Sequence, residues 1–204
     1  LFPALLILFV TGMVDDLRDL SPGRKFFFQF IAAGIVCAGG LRIRSDFGLF
    51  GIGELDFVTS YIVTMLFITA MTNAYNLIDG VDGLLGGIAL IGSAGLGLLF
   101  LQAGDGFHAA LSFALSGALA GFLRYNFHPA ILFMGDTGSL LVGFLLAALG
   151  IRFFSLPLHE LAHAGISHGF TVVAGLLFLP VFDVVRVFII RMLKGKSPFH
   201  LMNL

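Results

Sequence analysis

Long apolar runs, separated by short polar connections, constrain this 204-residue chain more than any other feature of its sequence. Hydrophobic residues make up 58% of the chain and charged residues 11%, whereas a soluble domain has roughly 45–50% and about 25%. A globule of this length cannot bury so much apolar surface, so the surplus must face lipid, which excludes a soluble enzyme. The 24 Phe exclude a disordered chain, and the net charge of -1 argues against nucleic acid as a partner.

The apolar runs have the length of membrane-spanning helices, which need about 20 mostly apolar residues. We therefore predict an all-α fold, a polytopic helical membrane bundle that forms one domain over residues 1–204. The first run begins without an initiator Met, so we expect that an upstream part of a larger bundle is missing. About seven spans are predicted, roughly Leu1–Val14, Phe26–Leu41, Phe57–Thr72, Leu84–Ala103, His108–Leu123, Ser139–Phe154 and Phe170–Leu193.

Charge placement predicts which end of the bundle carries the site. When the spans alternate across a bilayer, the 11 basic residues split eight to three between the two faces, and the richer face is expected to be cytoplasmic. Carboxylates at the ends of spans are costly and usually mark function. The cytoplasmic face receives seven of them from four separate connections: Asp15, Asp16, Asp19, Asp79, Asp82, Asp136 and Asp183.

The first acidic cluster follows the first span. If the helix continues, Asp15 and Asp19 lie one turn apart on one face, as do Asp16 and Asp19. Two carboxylates in this arrangement suit a divalent cation or a metal carried by a phosphate. The alternative is a solvated acidic loop before Ser21-Pro22.

A second cluster follows the third span, where polar residues recur at intervals of three. On a straight helix Asn76, Asp79 and Asp82 share a broad face, and Asn73 drifts off it. Polar residues at regular intervals directly after an apolar run are hard to explain by helix packing alone. This pattern predicts a polar site.

The third cluster opens the sixth span with Gly135-Asp136-Thr137-Gly138-Ser139. A helix N-terminus offers free amides that suit phosphate, and Asp136 beside it suits a metal that bridges to that phosphate. The alternative is that Asp136 is merely the N-cap. Phe133 precedes the helix as an exposed aromatic in an irregular loop.

Two further motifs leave alternatives open. Asp183 and Arg186 are expected to pair within the last span, and the basic run that includes Arg191 and Lys196 is either an interfacial anchor or a diphosphate clamp. On the opposite face, the sequence from His159 to His163 matches the two-histidine zinc motif of metalloproteases, with Glu160 as the base. An amphipathic surface helix is the favoured explanation of that match, because the motif lies opposite the other carboxylate clusters. An intramembrane zinc protease and a non-catalytic membrane fragment are the alternatives retained.

These motifs, in this order, resemble the polyprenyl-phosphate N-acetylhexosamine-1-phosphate transferase family, which includes the muramoyl-pentapeptide transferase of peptidoglycan synthesis. The isoleucine at position 78 favours the GlcNAc-type branch. Family members have more spans and a His-x-His-His motif after the final Ser-Pro-Phe, whereas this chain ends in His200-Leu-Met-Asn-Leu204, so we expect either a fragment or a protein that has lost activity. The motifs that carry the resemblance are Asp15-Asp16-Leu-Arg-Asp19, Asn73-Ala-Tyr-Asn76-Leu-Ile-Asp79-Gly-Val-Asp82-Gly, Asn126-Phe-His-Pro129, Phe133-Met-Gly-Asp136-Thr-Gly-Ser139 and Lys194-Gly-Lys-Ser-Pro198-Phe199.

The resemblance implies transfer of N-acetylhexosamine-1-phosphate from a UDP-sugar to undecaprenyl phosphate, with release of UMP, at the cytoplasmic face of a bacterial inner membrane. It implies Mg²⁺, with Mn²⁺ as a substitute, held chiefly by Asp136 with Asp79 and Asp82; a homodimer is considered as well. The remaining carboxylates, Asp15 and Asp16, would orient the lipid phosphate. Residues expected to bind substrate are Lys25, Asn73, Asn76, Phe133, Arg191 and Lys196.

Overall fold

The computed structural model describes residues 1–45, 53–157, 161–162, 165–166 and 169–193. In this part of the chain the fold is all-α, as predicted, with one isolated antiparallel bridge between Ser45 and Glu54. The helices are α1 (Phe2–Arg18), α2 (Pro22–Ala38), α3 (Phe57–Leu77), α4 (Leu84–Gln102), α5 (Gly106–Asn126), α6 (Gly135–Phe154), α7 (Gly169–Leu177) and α8 (Leu179–Leu193).

Four of the described helices, α3 to α6, are long and apolar enough to cross a membrane by length and composition. Many large apolar side chains on them are exposed, among them Ile62, Leu66, Ile91, Leu98 and Leu101. Such side chains are costly in water and suit a lipid environment. The predicted helical membrane bundle is therefore confirmed, while the number of seven spans stays a prediction.

The last predicted span, Phe170–Leu193, is two helices rather than one. Helix α7 ends at Leu177, and α8 begins at Leu179 with Pro180 in its first turn. Proline has no backbone N–H to donate to the preceding turn, and its ring crowds the carbonyl four residues earlier. The proline therefore divides the last predicted span into two helices, and the crossing of a membrane by this segment stays a prediction.

Helix α6 lies at the centre of the bundle and packs against α1, α3, α4 and α7. It is the most deeply buried of the four long helices, and Phe144, Leu146 and Ile151 on it are inaccessible to solvent. Helix α1 reaches α6 through a glycine, since a Cβ on Gly12 would overlap with the Cα of Thr137. The end of α1 is thereby held against the start of α6.

This packing gathers four helix ends on one side of the bundle. The end of α1 meets the start of α6 through Gly12, while α2 packs on α1 and α3 packs on α2 and α6. The acidic segments predicted from sequence follow α1, follow α3 and open α6. The topology therefore brings three separated acidic segments to the same end.

Candidate active site

Lys25 joins two of the acidic segments. Helix α1 ends at Arg18, and α2 begins at Pro22, so the chain reverses within three residues and places Lys25 in the first turn of α2. Its Nζ contacts Oδ2 of Asp15 and lies 3.1 Å from Oδ1 of Asp136. The Asp15 side chain is only 2% exposed, so the ammonium group compensates a carboxylate that water barely reaches.

The neighbouring carboxylate, Asp16, caps the N-terminus of α6. Its Oδ1 accepts a hydrogen bond from the Asp136 amide at 2.8 Å. Its Oδ2 accepts bonds from the amide and the hydroxyl of Thr137, at 3.0 and 2.5 Å. The first amides of a helix have no partner within the helix and favour a negative charge. Here they hold a carboxylate of the same chain, whereas the motif from Gly135 to Ser139 predicted that they face a ligand phosphate.

Gly135 is required by this cap. Its φ of 67° lies in the left-handed region, which a residue with a side chain rarely adopts. A Cβ at this position would also lie 3.0 Å from Oδ1 of Asp16. The N-cap position itself is Met134, so the alternative in which Asp136 is the N-cap is wrong.

Asp136 is held by α3 as well as by Lys25. Nδ2 of Asn76, in the last turn of α3, donates to Oδ1 of Asp136 at 2.5 Å and to Oγ of Ser139 at 2.8 Å. The Asp136 side chain remains 28% exposed. A ligand can therefore approach a carboxylate whose position is fixed from two sides.

Asp79 lies beyond α3, because the helix ends at Leu77. The straight-helix face predicted for Asn76, Asp79 and Asp82 is therefore wrong, yet Asp79 still reaches the site. Its Oδ2 accepts a hydrogen bond from the Gly135 amide at 3.0 Å. Burial raises the pKa of Asp79 to about 6. The Gly135 amide opposes this shift, whereas the negative charges of Asp136 and Asp16 add to it.

Asp82 has different neighbours. Its Oδ2 lies 3.0 Å from Nδ1 of His128 and accepts the Ala130 amide at 3.1 Å. The Ala130 amide and then His128 lower the pKa of Asp82. These contacts tie the α5–α6 loop to the α3–α4 connection. They do not support the prediction that Asp82 shares a metal with Asp136.

Asn126 is a residue of this region whose role the sequence did not predict. It is 3% exposed, its Oδ1 accepts the Gly83 amide at 2.9 Å, and its Nδ2 donates to the Leu132 carbonyl at 2.8 Å. The side chain thus fixes both the start of α4 and the loop that leads to Phe133. The only feature of the sequence that pointed to Asn126 was its place in the motif Asn126-Phe-His-Pro129.

The other predicted residues lie apart from this cluster. Asn73 donates to Oε1 of Gln29 at 2.5 Å and to the Thr69 carbonyl at 2.8 Å, which ties α3 to α2. Asp19 leaves α1 in a left-handed conformation, with φ of 47°, so it does not extend the helical face of Asp15. Phe133 is 58% exposed in the loop before α6.

The last helix and the competing motif complete the predicted set. Asp183 and Arg186 pair as predicted, with Oδ1 and Nη2 2.6 Å apart. Lys196 and the residues of the zinc motif, His159, Glu160 and His163, lie outside the described residues, and of Arg191 only the helical backbone is described.

The donor set can be tested against Mg²⁺. The described residues contain no group of three or more His, Cys, Asp or Glu side chains arranged to hold a metal by themselves. Mg²⁺, however, is usually bound by one or two carboxylates and completes its shell with water and substrate phosphates. Asp79, Asp136 and Asp16 interact electrostatically, and Lys25 is the only cation of the described chain that pairs with Asp15 or Asp136. This excess of negative oxygen donors fits a divalent cation.

The fold and the site together define a membrane protein with an acidic, solvent-reached site at one end of its helical bundle. The chain belongs to glycosyl transferase family 4, whose sequence profile matches residues 1–154. This confirms the predicted family resemblance, and it does not support the protease alternative.

Three relatives illustrate the similarity. The probable undecaprenyl-phosphate N-acetylglucosaminyl 1-phosphate transferase of Bacillus subtilis (strain 168) is 36% identical over 202 residues, which cover 94% of this chain and 52% of the relative. The decaprenyl-phosphate N-acetylglucosaminephosphotransferase of Mycobacterium tuberculosis (strain ATCC 25618 / H37Rv) is 32% identical over 204 residues, 92% of this chain and 50% of the relative. The phospho-N-acetylmuramoyl-pentapeptide-transferase of Microcystis aeruginosa is 34% identical over 198 residues, which cover 90% of this chain and 52% of the relative. The chain spans about half the length of the curated relatives it matches.

Proposed function

We propose that the protein transfers N-acetylhexosamine-1-phosphate, with GlcNAc as the sugar, from a UDP-sugar to undecaprenyl phosphate and releases UMP. The observation that carries the proposal is the meeting of Asp15, Asp16, Asp79 and Asp136 beside Lys25 at one end of the bundle. The names of the relatives support it, because two of the three are polyprenyl-phosphate N-acetylglucosamine-phosphate transferases.

In the proposed reaction an oxygen of the lipid phosphate bonds to the β-phosphorus of the UDP-sugar. The bond between that phosphorus and the oxygen bridging to the α-phosphate breaks, and UMP leaves with the bridging oxygen. A phosphate monoester has a second pKa of about 6 and is largely dianionic at pH 7, so the acceptor needs no strong base. Such transfers depend mainly on positioning and on neutralising charge.

Each residue of the cluster has a distinct proposed part in this reaction. Asp136 and Asp79 hold Mg²⁺, or Mn²⁺ in its place, which when bound neutralises charge on the diphosphate. Lys25 contacts a phosphate oxygen of a substrate while Asp15 holds its ammonium group in place. Asp16 is a positioning residue, because its carboxylate is taken up by the start of α6.

Other contacts with the nucleotide are proposed from exposure and from the motif order. Nδ2 of Asn76 is engaged with Asp136 and Ser139, so its Oδ1 is the atom that accepts a hydrogen bond from the nucleotide. Phe133, more than half exposed, stacks on uracil. Asn73, Arg191 and Lys196 remain predicted substrate contacts. The homodimer also remains a prediction.

We propose the cytoplasmic face of a bacterial cytoplasmic membrane as the location of the site. The uneven distribution of basic residues supports this orientation, and a water-soluble UDP-sugar and a membrane lipid can meet only at a membrane surface. The product would start a cell-envelope polysaccharide, such as an O-antigen.

The test is UMP release by the purified full-length protein with UDP-GlcNAc, undecaprenyl phosphate and Mg²⁺. We expect release that is lost in Asp136→Asn and kept in Asp56→Asn. The control is matched, because Asp56 is an exposed N-cap of α3 and asparagine caps helices equally well. Absence of UMP release from folded full-length protein, or full activity in Asp136→Asn, contradicts the proposal.

A further inference from the structure

A second polar cluster lies at the opposite end of the bundle. Asp105 precedes α5 and accepts the His108 amide at 3.2 Å, and its two carboxylate oxygens lie 2.8 Å from Nδ1 of His108. Arg152, in the last turn of α6, donates to Oδ2 of Asp105 from Nε at 3.2 Å and from Nη2 at 2.9 Å. The Asp105 side chain is 13% exposed. The guanidinium group of Arg152 is therefore held in a fixed orientation.

This cluster is far from the acidic site. Arg152 and Asp136 lie on the same run of α6, and their separation of about 16 positions corresponds to roughly 24 Å along a helix axis. The hydrocarbon core of a bilayer is about 30 Å thick. The two clusters therefore face opposite leaflets, and the proposed transfer reaction has no part for Arg152.

Arg152 and His108 line a cavity of about 560 Å³ together with Arg44, Gly40 and Ser155. Asp105 compensates one of the two arginines, and no carboxylate of the described residues lies within 4 Å of the Arg44 guanidinium. The described lining consequently carries excess positive charge at a position where a membrane surface is expected.

A smaller cavity of about 190 Å³ adjoins the first and shares Gly39, Leu41, His108 and Arg152 with it. Its further walls are apolar. They are Leu1, which precedes α1, and Val36, Leu111, Ala148 and Leu149 on α2, α5 and α6. A cationic pocket that continues into an apolar cleft between helices matches a molecule with an anionic head and a hydrocarbon chain.

We propose that these joined cavities bind an anionic phospholipid of the leaflet opposite the acidic site, with the lipid phosphate between Arg44 and Arg152 and the beginning of an acyl chain in the apolar cleft. Arg152 is oriented for this by Asp105, whereas Arg44 is an exposed side chain. The charge of the pocket favours a phosphate, and the shared walls of the two cavities favour a phosphate that carries a chain.

The test is native mass spectrometry of the full-length protein in detergent with phosphatidylglycerol, diacylglycerol or inorganic phosphate. We expect bound phosphatidylglycerol, little diacylglycerol, and no displacement of the lipid by millimolar phosphate. Arg44→Gln should weaken phosphatidylglycerol binding roughly tenfold, the size of one charge-assisted hydrogen bond. The matched control is Arg42→Gln, because Arg42 stacks over Phe57, 4.5 Å from the ring centroid, instead of lining the cavity.

The outcomes separate this proposal from the proposed function. In detergent that contains undecaprenyl phosphate but no phospholipid, Arg44→Gln should keep its unfolding temperature and its UMP release, since Arg44 lies at the other end of the bundle. Equal losses of lipid binding in Arg44→Gln and Arg42→Gln overturn the proposal, as does equal binding of diacylglycerol. Full displacement of the lipid by inorganic phosphate also overturns it, because the site would then recognise a free anion.

Discussion

The carboxylate of Asp16 holds Thr137 by both the backbone amide, at 3.0 Å, and the side-chain hydroxyl, at 2.5 Å. The two residues are 121 positions apart in the chain. One of two adjacent aspartates thus fixes the start of α6, and the other, Asp15, contacts Lys25. Asp16 therefore positions the start of α6, and Asp15 takes part in charge compensation with Lys25.

Removal of the cap by Asp16→Ala should destabilise the protein and impair activity together. The loss of an N-terminal cap costs about 0.5–2 kcal/mol, and Asp136 would lose its fixed position. Thermal unfolding in detergent measures the first effect, and UMP release the second. Asp16→Asn, which retains one acceptor oxygen, should restore part of both. An unchanged unfolding temperature with abolished activity would instead give Asp16 a direct part in the reaction.

Lys25→Met should destabilise the protein more than an exposed charge change would. The substitution leaves the nearly buried Asp15 without its counter-ion. Breaking a buried ion pair costs about 3–5 kcal/mol of folding free energy. Because Lys25 is partly exposed, we expect a cost near the lower bound. A double-mutant cycle with Asp15→Asn measures the coupling. The double variant should be more stable than Lys25→Met alone, and strictly additive losses would refute the pairing.

Gly12→Ala should lower the unfolding temperature, because its Cβ would overlap with the Cα of Thr137 and would push α1 away from α6. Overpacking of this kind costs about 1–3 kcal/mol. Gly23→Ala is the matched control, since no atom lies within 4 Å of a Cβ there. Equal stability of the two variants would mean that α1 and α6 are not in close contact.

Asp79→Asn should be more stable than the unsubstituted protein at neutral pH in the presence of EDTA. The pKa of Asp79 is raised from 3.8 to about 6 in the folded protein, so its ionisation opposes folding fully above pH 6. The advantage of the variant should shrink as the pH falls from about 6 towards 4, where the unsubstituted side chain is protonated in the folded state. The amide oxygen of the introduced side chain can still accept the Gly135 amide. A stability difference that does not change between about pH 5 and 7.5 contradicts the raised pKa.

Hydropathy and motif order were sufficient to predict the helical membrane bundle and to suggest that its acidic segments share one end. Local spacing did not predict the cap formed by Asp16 on Thr137, because that contact depends on how closely α1 packs on α6. The bond between Asp82 and His128 was missed for a similar reason, since α3 ends before Asp79 and the loop after α5 turns back towards Asp82. The break before Pro180 had a signal in the sequence, the proline itself.

The most direct test of the central claim is the binding of Mn²⁺ to the full-length protein in the presence of UDP. Electron paramagnetic resonance measures the binding, with a sample of Mn²⁺ and UDP without protein as the blank. We expect a protein-bound signal that is lost in Asp136→Asn, weakened in Asp79→Asn and retained in Asp82→Asn, whose carboxylate contacts His128 instead. An undiminished signal in both Asp136→Asn and Asp79→Asn would contradict the claim that these aspartates form one cation-holding site.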